Sequence, residues 1–319
     1  MNPTPLQLAR LAAVALVLAA AGCGGGGGGG GPIGAGDTGY AIHLQYESSL
    51  TSTQKAAFDG AAARISKIIT GKLSTVAFHG EKCAAGTAAT DPSYAVNADV
   101  TNLLIFVRVG AIDGVGQVLG QSGPCFLRLS NALPVVGIMN FDSADLASLE
   151  HDGTLDAVIL HEMLHVVGFG TAWDATARPP PLASLIDGEG GATPTFIGAA
   201  AVTAYQDLGG PASTVPVEGC STSGTPKPCG GGTRDSHWTE TVFQNELMTG
   251  WIDPLPDPLS KVTIASLADL GYTVDMTQAD AFTVPAAVSP QVSKLTAGAA
   301  RLHLVHDTLD VPPQRISDE

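Results

Sequence analysis

Apolar and polar positions along the first half of the chain mark out strands and one amphipathic helix. Residues 41–46 alternate with period two and predict a strand. Over 51–70, Ala57, Phe58, Ala61, Ala62, Ile65 and Ile69 recur at helical spacing and Gly71 follows, which predicts a helix. Residues 103–109 are almost continuously apolar, the pattern of a strand buried on both faces, and 137–142 predict a second short strand, followed by a turn or short helix at 143–149. The mostly apolar run 155–160 leads into His161, so one buried helix is expected there, with Thr154 or Asp152 as its cap and Gly168 as its stop. Between 171 and 232 Gly, Pro, Ser and Thr dominate, which predicts loop with one short helix at 198–208. A loop of that length inside a compact domain is more often functional than idle. Residues 260–270 read as a helix closed by Gly271, after which the pattern weakens and 281–319 fit either a frayed tail or a small β extension. The fold class is α+β.

The ends of the chain carry a different signal. Residues 1–22 have one basic side chain, Arg10, then an eleven-residue apolar run and small residues, the pattern of an export signal too short to span a bilayer. Ala20-Ala21-Gly22-Cys23 resembles a bacterial lipobox with Ala20 where Leu is usual, so lipidation at Cys23 and plain cleavage near Ala21 are both open. The glycine run 24–31 offers almost nothing to bury and reads as a tether. The expected organisation is therefore a signal at 1–22, a lipidation cysteine and tether at 23–37, a folded domain at 38–280 and a tail or extension at 281–319.

Composition narrows the partners. The 319 residues are 45% hydrophobic with a net charge of −15, which argues against a nucleic-acid partner and against electrostatic docking on anionic membranes. With Cys23 set aside, Cys83, Cys125, Cys220 and Cys229 remain, an even number in an exported chain. A local Cys220–Cys229 bridge leaves Cys83–Cys125 as the second disulfide; the competing reading makes Cys83 an inhibitory metal ligand.

The chemistry sits in His161-Glu162-Met163-Leu164-His165. Two histidines at i and i+4 share one face of a helix and can hold one metal ion, while Glu162 is placed to take a proton from a metal-bound water. A five-residue match of this kind also arises in structural helices. A catalytic zinc needs a third ligand and an open position. His237, in Ser236-His237-Trp238, is the candidate; Glu240 and Glu246 are the carboxylate alternatives, as in thermolysin-like enzymes. His43, His79 and His151 read as surface or structural residues, and His303 and His306 lie in the undecided tail. A non-catalytic, surface-anchored binding module with a structural zinc is the remaining alternative, although it gives Glu162 no task.

Taken together, His161 to Phe169, the late His237-Trp238 and Asn245-Glu246-Leu247-Met248-Thr249-Gly250 resemble the leishmanolysin family of metzincin metallopeptidases. In most metzincins the third histidine comes three residues after the motif glycine, here Thr171; leishmanolysins place a long insertion instead, as the step to His237 does. The resemblance implies a metzincin-type fold: a first lobe with a mixed twisted sheet and two long helices, then a loop-rich lobe with a Met-turn and a final helix. It also implies one catalytic zinc on His161, His165 and His237, Glu162 as general base, Met248 beneath the metal, and a protein or peptide as substrate. Gly168 would let the chain turn so that His237 can approach. Strand 137–141 is the expected partner for an extended substrate by strand addition.

Overall fold

The computed structural model describes residues 31–87, 91–116, 118–219, 233–253, 256–285, 302–304, 308–309 and 311–318. Its centre is a five-stranded sheet built from β1 (Ile42–Tyr46), β2 (Leu103–Gly110), β3 (Gly120–Arg128), β4 (Pro134–Asp142) and β5 (Gln314–Ile316), in the spatial order β1-β2-β4-β3-β5. β1, β2 and β4 run parallel, β3 runs antiparallel to β4, and β5 lies parallel to β3. The continuous apolar runs have their reason in this order. Alternate residues Leu103, Ile105, Val107, Met139 and Phe141 face one core cluster, and Leu104, Phe106, Val136 and Ile138 face the other.

The first cluster is covered by two helices, α1 (Ser52–Ile68) and, after α2 (Ser143–Asp152), α3 (Leu155–Val167). α1 opens on a capping box: the Thr51 hydroxyl accepts from Gln54 N–H, and the Gln54 side chain accepts from Thr51 N–H. Its apolar stripe of Phe58, Ile65 and Ile68 is fully buried. The second cluster is closed by a hairpin of Glu81–Ala84 and Ser93–Val96, tied to β3 by the Cys83–Cys125 disulfide. The bridge removes the alternative of Cys83 as an inhibitory ligand. Cys220 and Cys229 lie outside the described residues, as do 1–22 and Cys23.

β3 is the strand that the sequence pattern hides. Two glycines and Pro124 break its alternation, and the register shifts beside Pro124, where a proline in a sheet is tolerated. Its presence corrects one expectation. β4, with 137–141 in its middle, pairs with β2 on one side and β3 on the other, so it has no edge to offer a substrate.

The second half adds two helices packed on each other. α4 (Ala199–Asp207) lies against α5 (Lys261–Leu270), and the Asp269 carboxylate of α5 accepts from Ala200 and Ala201 N–H at the start of α4. The expected loop 171–232 contains that helix plus a small sheet of Ile186–Asp187, Thr195–Phe196 and Val215–Pro216, strands too short to show a period. Of the two readings of 281–319, Leu302–His303 and Gln314–Ile316 pair as strands. Ordered pairing also starts before Tyr40: Ile33 donates to Asp99 O and accepts from Thr101 N–H. Among the described residues no helix is long and apolar enough to cross a membrane.

Candidate metal centre

α3 carries the first part of the site. Every residue from Val158 to Val167 is buried, which is why the helix shows no polar face. Thr154 holds the cap position, but its side chain makes no capping bond, and Asp152 belongs to α2, where it accepts from Ser148. Helical spacing stacks His161 and His165 one turn apart. Gly168 then takes a left-handed conformation at φ 114°, as a helix stop at this point requires. Gly170, at φ 73°, performs a second function that the sequence did not announce. A Cβ there would run into the Ser236 carbonyl oxygen, so only glycine lets the 236–237 stretch come this close to the end of α3.

His237 arrives on a stretch held from two sides. Trp238 N–H donates to Met248 O at 3.0 Å and Glu218 N–H donates to His237 O at 2.8 Å. The Trp238 indole N–H bonds Thr263 Oγ1 at 2.8 Å, and its ring packs among Phe169, Trp173, Phe196 and Phe243. A cluster of large aromatic rings thus fixes the position of the third histidine.

The Nε2 atoms of His161, His165 and His237 form a triangle with sides of 3.0 Å. Each Nδ1 has its own partner: His161 Nδ1 lies 2.7 Å from Leu247 O, His165 Nδ1 2.9 Å from Phe169 O, and His237 Nδ1 3.0 Å from Thr233 O. A carbonyl oxygen only accepts, so the ring protons sit on Nδ1 and the three Nε2 lone pairs point at one another. Three converging lone pairs repel unless a cation lies among them. A tetrahedral zinc with bonds of about 2.0–2.1 Å sets its ligand nitrogens about 3.3 Å apart, close to the spacing here. The donor set therefore fits zinc, and the backbone carbonyls are the outer partners that fix the tautomer of metal-bound histidines.

Glu162 is fully buried beside this triangle, and its Oε2 accepts from the Ser122 hydroxyl at 2.6 Å. Ser122, on β3, was missed by sequence reasoning because nothing in the pattern revealed its strand. The carboxylate alternatives fare differently from His237. Glu246 spends its oxygens on Met248 N–H at 2.6 Å, Ser260 N–H at 2.9 Å and the Thr263 hydroxyl at 2.6 Å. Burial pushes its carboxyl above the usual range and these donors work against that rise. It ties the 246–248 turn to the start of α5 and is not part of the group around the centre. Glu240 lies at the start of a one-turn helix, Glu240–Phe243, outside the triangle. Met248 is fully buried on the turn whose preceding carbonyl, Leu247 O, holds His161. His43 pairs with Asp37, a structural contact away from the centre. Among the described residues, His161, His165 and His237 are the one group of three or more His, Cys, Asp or Glu able to hold a metal ion.

Comparison with known proteins places the chain in a family. The family model described as leishmanolysin matches residues 64–291, which include α3, His237 and the 246–250 turn. The chain belongs to the leishmanolysin family. A leishmanolysin from Leishmania donovani is 27% identical over 192 residues, covering 59% of this chain and 30% of that protein. The chain thus matches under a third of that relative's length. The matched range spans most of the mixed α and β structure described above.

Proposed function

We propose that this chain is a zinc-dependent endopeptidase that hydrolyses peptide bonds in proteins outside the cytoplasm. The observation that carries the reading is the Nε2 triangle with every Nδ1 committed to a carbonyl, beside a buried carboxylate one residue after the first ligand. Zinc bound there would activate a water and polarise the scissile carbonyl. His161, His165 and His237 would hold the ion, and three protein ligands are the number that catalytic zinc sites use. Glu162 takes the proton from the attacking water and returns it to the leaving amine. Ser122 fixes the carboxylate of Glu162 in the orientation that this transfer needs. Met248 forms the floor of the site, as the Met-turn of the family does, and Gly168 and Gly170 bring the two parts of the site together. A structural-zinc binding module gives no task to the buried Glu162 carboxylate beside the triangle, which disfavours that reading.

Export is part of this proposal. The apolar run after Arg10 supports it, as does the Cys83–Cys125 disulfide, because such bridges persist in oxidising compartments. Attachment through lipid at Cys23 or release after cleavage near Ala21 follows from which processing occurs.

The test is zinc content and cleavage of a casein-derived peptide by the exported chain, for the parent, Glu162→Gln and His237→Ala. Expected are one zinc and cleavage in the parent, zinc without cleavage in Glu162→Gln, and loss of zinc in His237→Ala. Zinc retained by His237→Ala, or cleavage by Glu162→Gln, would sink the assignment.

A further inference from the structure

The outer edge of β3, the rim of the sheet nearest Glu162, is not open. Thr308 bridges Ser122 in parallel, and Leu309 N–H donates to Ser122 O at 3.1 Å. Further along, β5 pairs with Phe126–Arg128, and Leu129 N–H donates to Ile316 O at 2.8 Å. Asp318 anchors that end, accepting from Ser130 N–H at 3.1 Å and from the Ser74 hydroxyl at 2.9 Å. On the other side of the metal site, Leu302–His303 pairs with Trp251–Ile252, Leu304 N–H donates to Gly250 O at 3.1 Å, and the Leu304 side chain is buried. One stretch of chain is therefore fastened both to the turn that holds His161 and to the strand that holds Glu162.

A second observation is independent of the pairing. His161, Glu162, His165, His237 and Ser122 all have 0% exposure. A peptidase whose zinc ligands, general base and neighbouring hydroxyl are all closed to solvent cannot admit a polypeptide in this state. Beside them, Thr308, Leu309, Val311 and Pro312 form one wall of a cavity of about 300 Å³, with Gly170 and Ser236 among the residues lining it.

We infer that residues 308–309 and 311–316 are an intramolecular inhibitor: they lie along the rim of β3 where an extended substrate would pair, and the site opens when they leave. The inference rests on the endopeptidase reading. Its physical basis is competition for the same backbone groups. An extended peptide adding to a sheet edge uses main-chain bonds, and the carbonyl of Ser122, whose hydroxyl bonds Glu162, is already taken by Leu309. The hold is built to be reversible. Pro312 and Pro313 have no N–H, so the ladder is interrupted between the bond at Leu309 and the pairs at Gln314–Ile316. A segment with few ladder bonds protects an otherwise sticky edge and still yields to a competitor.

A reversible lock tests this in the full chain. A Cβ built on Gly123 lies 3.6 Å from Leu309 Cβ, inside the roughly 3.5–4.5 Å range of a disulfide. The double variant Gly123→Cys, Leu309→Cys is compared, oxidised and after a phosphine reductant, with the parent treated alike. Two rates are read: peptide cleavage, and release of zinc to a chromogenic chelator. The oxidised form should fall to the Glu162→Gln background in cleavage and release zinc more slowly, and reduction should restore both. In a separate variant, Leu309→Pro removes the one N–H that holds Ser122 O, and kcat/KM should rise about fivefold, mostly through KM. A locked form that cleaves and releases zinc at the parental rates overturns the inference, as does a Leu309→Pro variant with unchanged kcat/KM. If the lock slows zinc release but no form cleaves any peptide, the peptidase reading fails while the covering of the site stands.

Discussion

Ser122→Ala is the sharpest probe of how the general base is held. The hydroxyl lies 2.6 Å from Glu162 Oε2 and 2.7 Å from the Glu162 carbonyl oxygen, all fully buried. It has one proton for two acceptors, and the ionised carboxylate is the stronger of the two. A buried hydrogen bond to a charged group contributes about 1.5–3 kcal/mol. If that energy orients Glu162 for proton transfer, its loss should lower kcat by about 10- to 150-fold. Both hydrogen bonds of the Ser122 hydroxyl go to Glu162, so zinc should stay at one per chain and KM should move little. The assay is steady-state cleavage of a quenched fluorescent peptide, with zinc measured on the same samples. A kcat within twofold of the parent, while Glu162→Gln is dead, would refute the positioning role. Loss of zinc in Ser122→Ala would instead make the serine part of the metal scaffold.

Three further outcomes are expected. Gly170→Ala forces a left-handed residue to carry a Cβ against the Ser236 carbonyl, so it should cost about 1–3 kcal/mol of stability and weaken zinc binding by displacing His237, read by thermal melts and a zinc titration; an unchanged zinc affinity would deny Gly170 its part in placing the third ligand. Asp142 is buried, which pushes its carboxyl up, but N–H groups of Ala144, Gly114, Asp113 and Ile112 outweigh this and hold it below the usual carboxylate range. A depressed carboxyl stabilises the fold above its unfolded-state pKa and loses that contribution as pH falls through the folded value, so below about pH 4 the parent should lose stability more steeply than Asp142→Asn; parallel pH curves would count against it. Reducing Cys83–Cys125 opens a link of sequence separation 42, worth about 4 kcal/mol on the chain-entropy account, and denaturant melts with and without reductant should show a drop of that order.

What the sequence made legible was what local pattern can encode. The apolar stripe of α1, the continuous runs of β2 and β4, the i, i+4 histidines and the Gly168 stop each depend on a few neighbouring residues, and each is where the pattern put it. β3 was illegible because Gly120, Gly123 and Pro124 earn their places from the tertiary setting, a bulged strand beside a helix, and not from strand propensity. With β3 went Ser122, and the choice of 137–141 as the substrate-facing strand. Gly170 has the same character: its partner, the Ser236 carbonyl, is distant in sequence, and no periodicity points to it. The role of Glu246 was also undecided from sequence, since a carboxylate near a metal motif looks like a ligand until its three donors are in view.

The separation of 72 residues between His165 and His237 needs a physical account, because the compact spacing would place the third ligand at Thr171, six residues after His165. Closing a loop of 72 instead of 6 residues costs about (3/2)RT ln 12, or roughly 2 kcal/mol. That is no more than the contribution of one well-buried large side chain, about 1.5–3 kcal/mol. Here Phe169, Trp173, Phe196, Trp238 and Phe243 are all fully buried in one cluster that joins the end of α3 to the residue after His237. The aromatic packing offsets the longer closure several times over, so His237 is held near its place by the fold itself and metal binding has little ordering left to do. A long insertion at this point is then compatible with a tight site, provided the cluster is kept. Trp238 is the residue on which both requirements meet, through its rings among the aromatics and its backbone N–H on Met248 O.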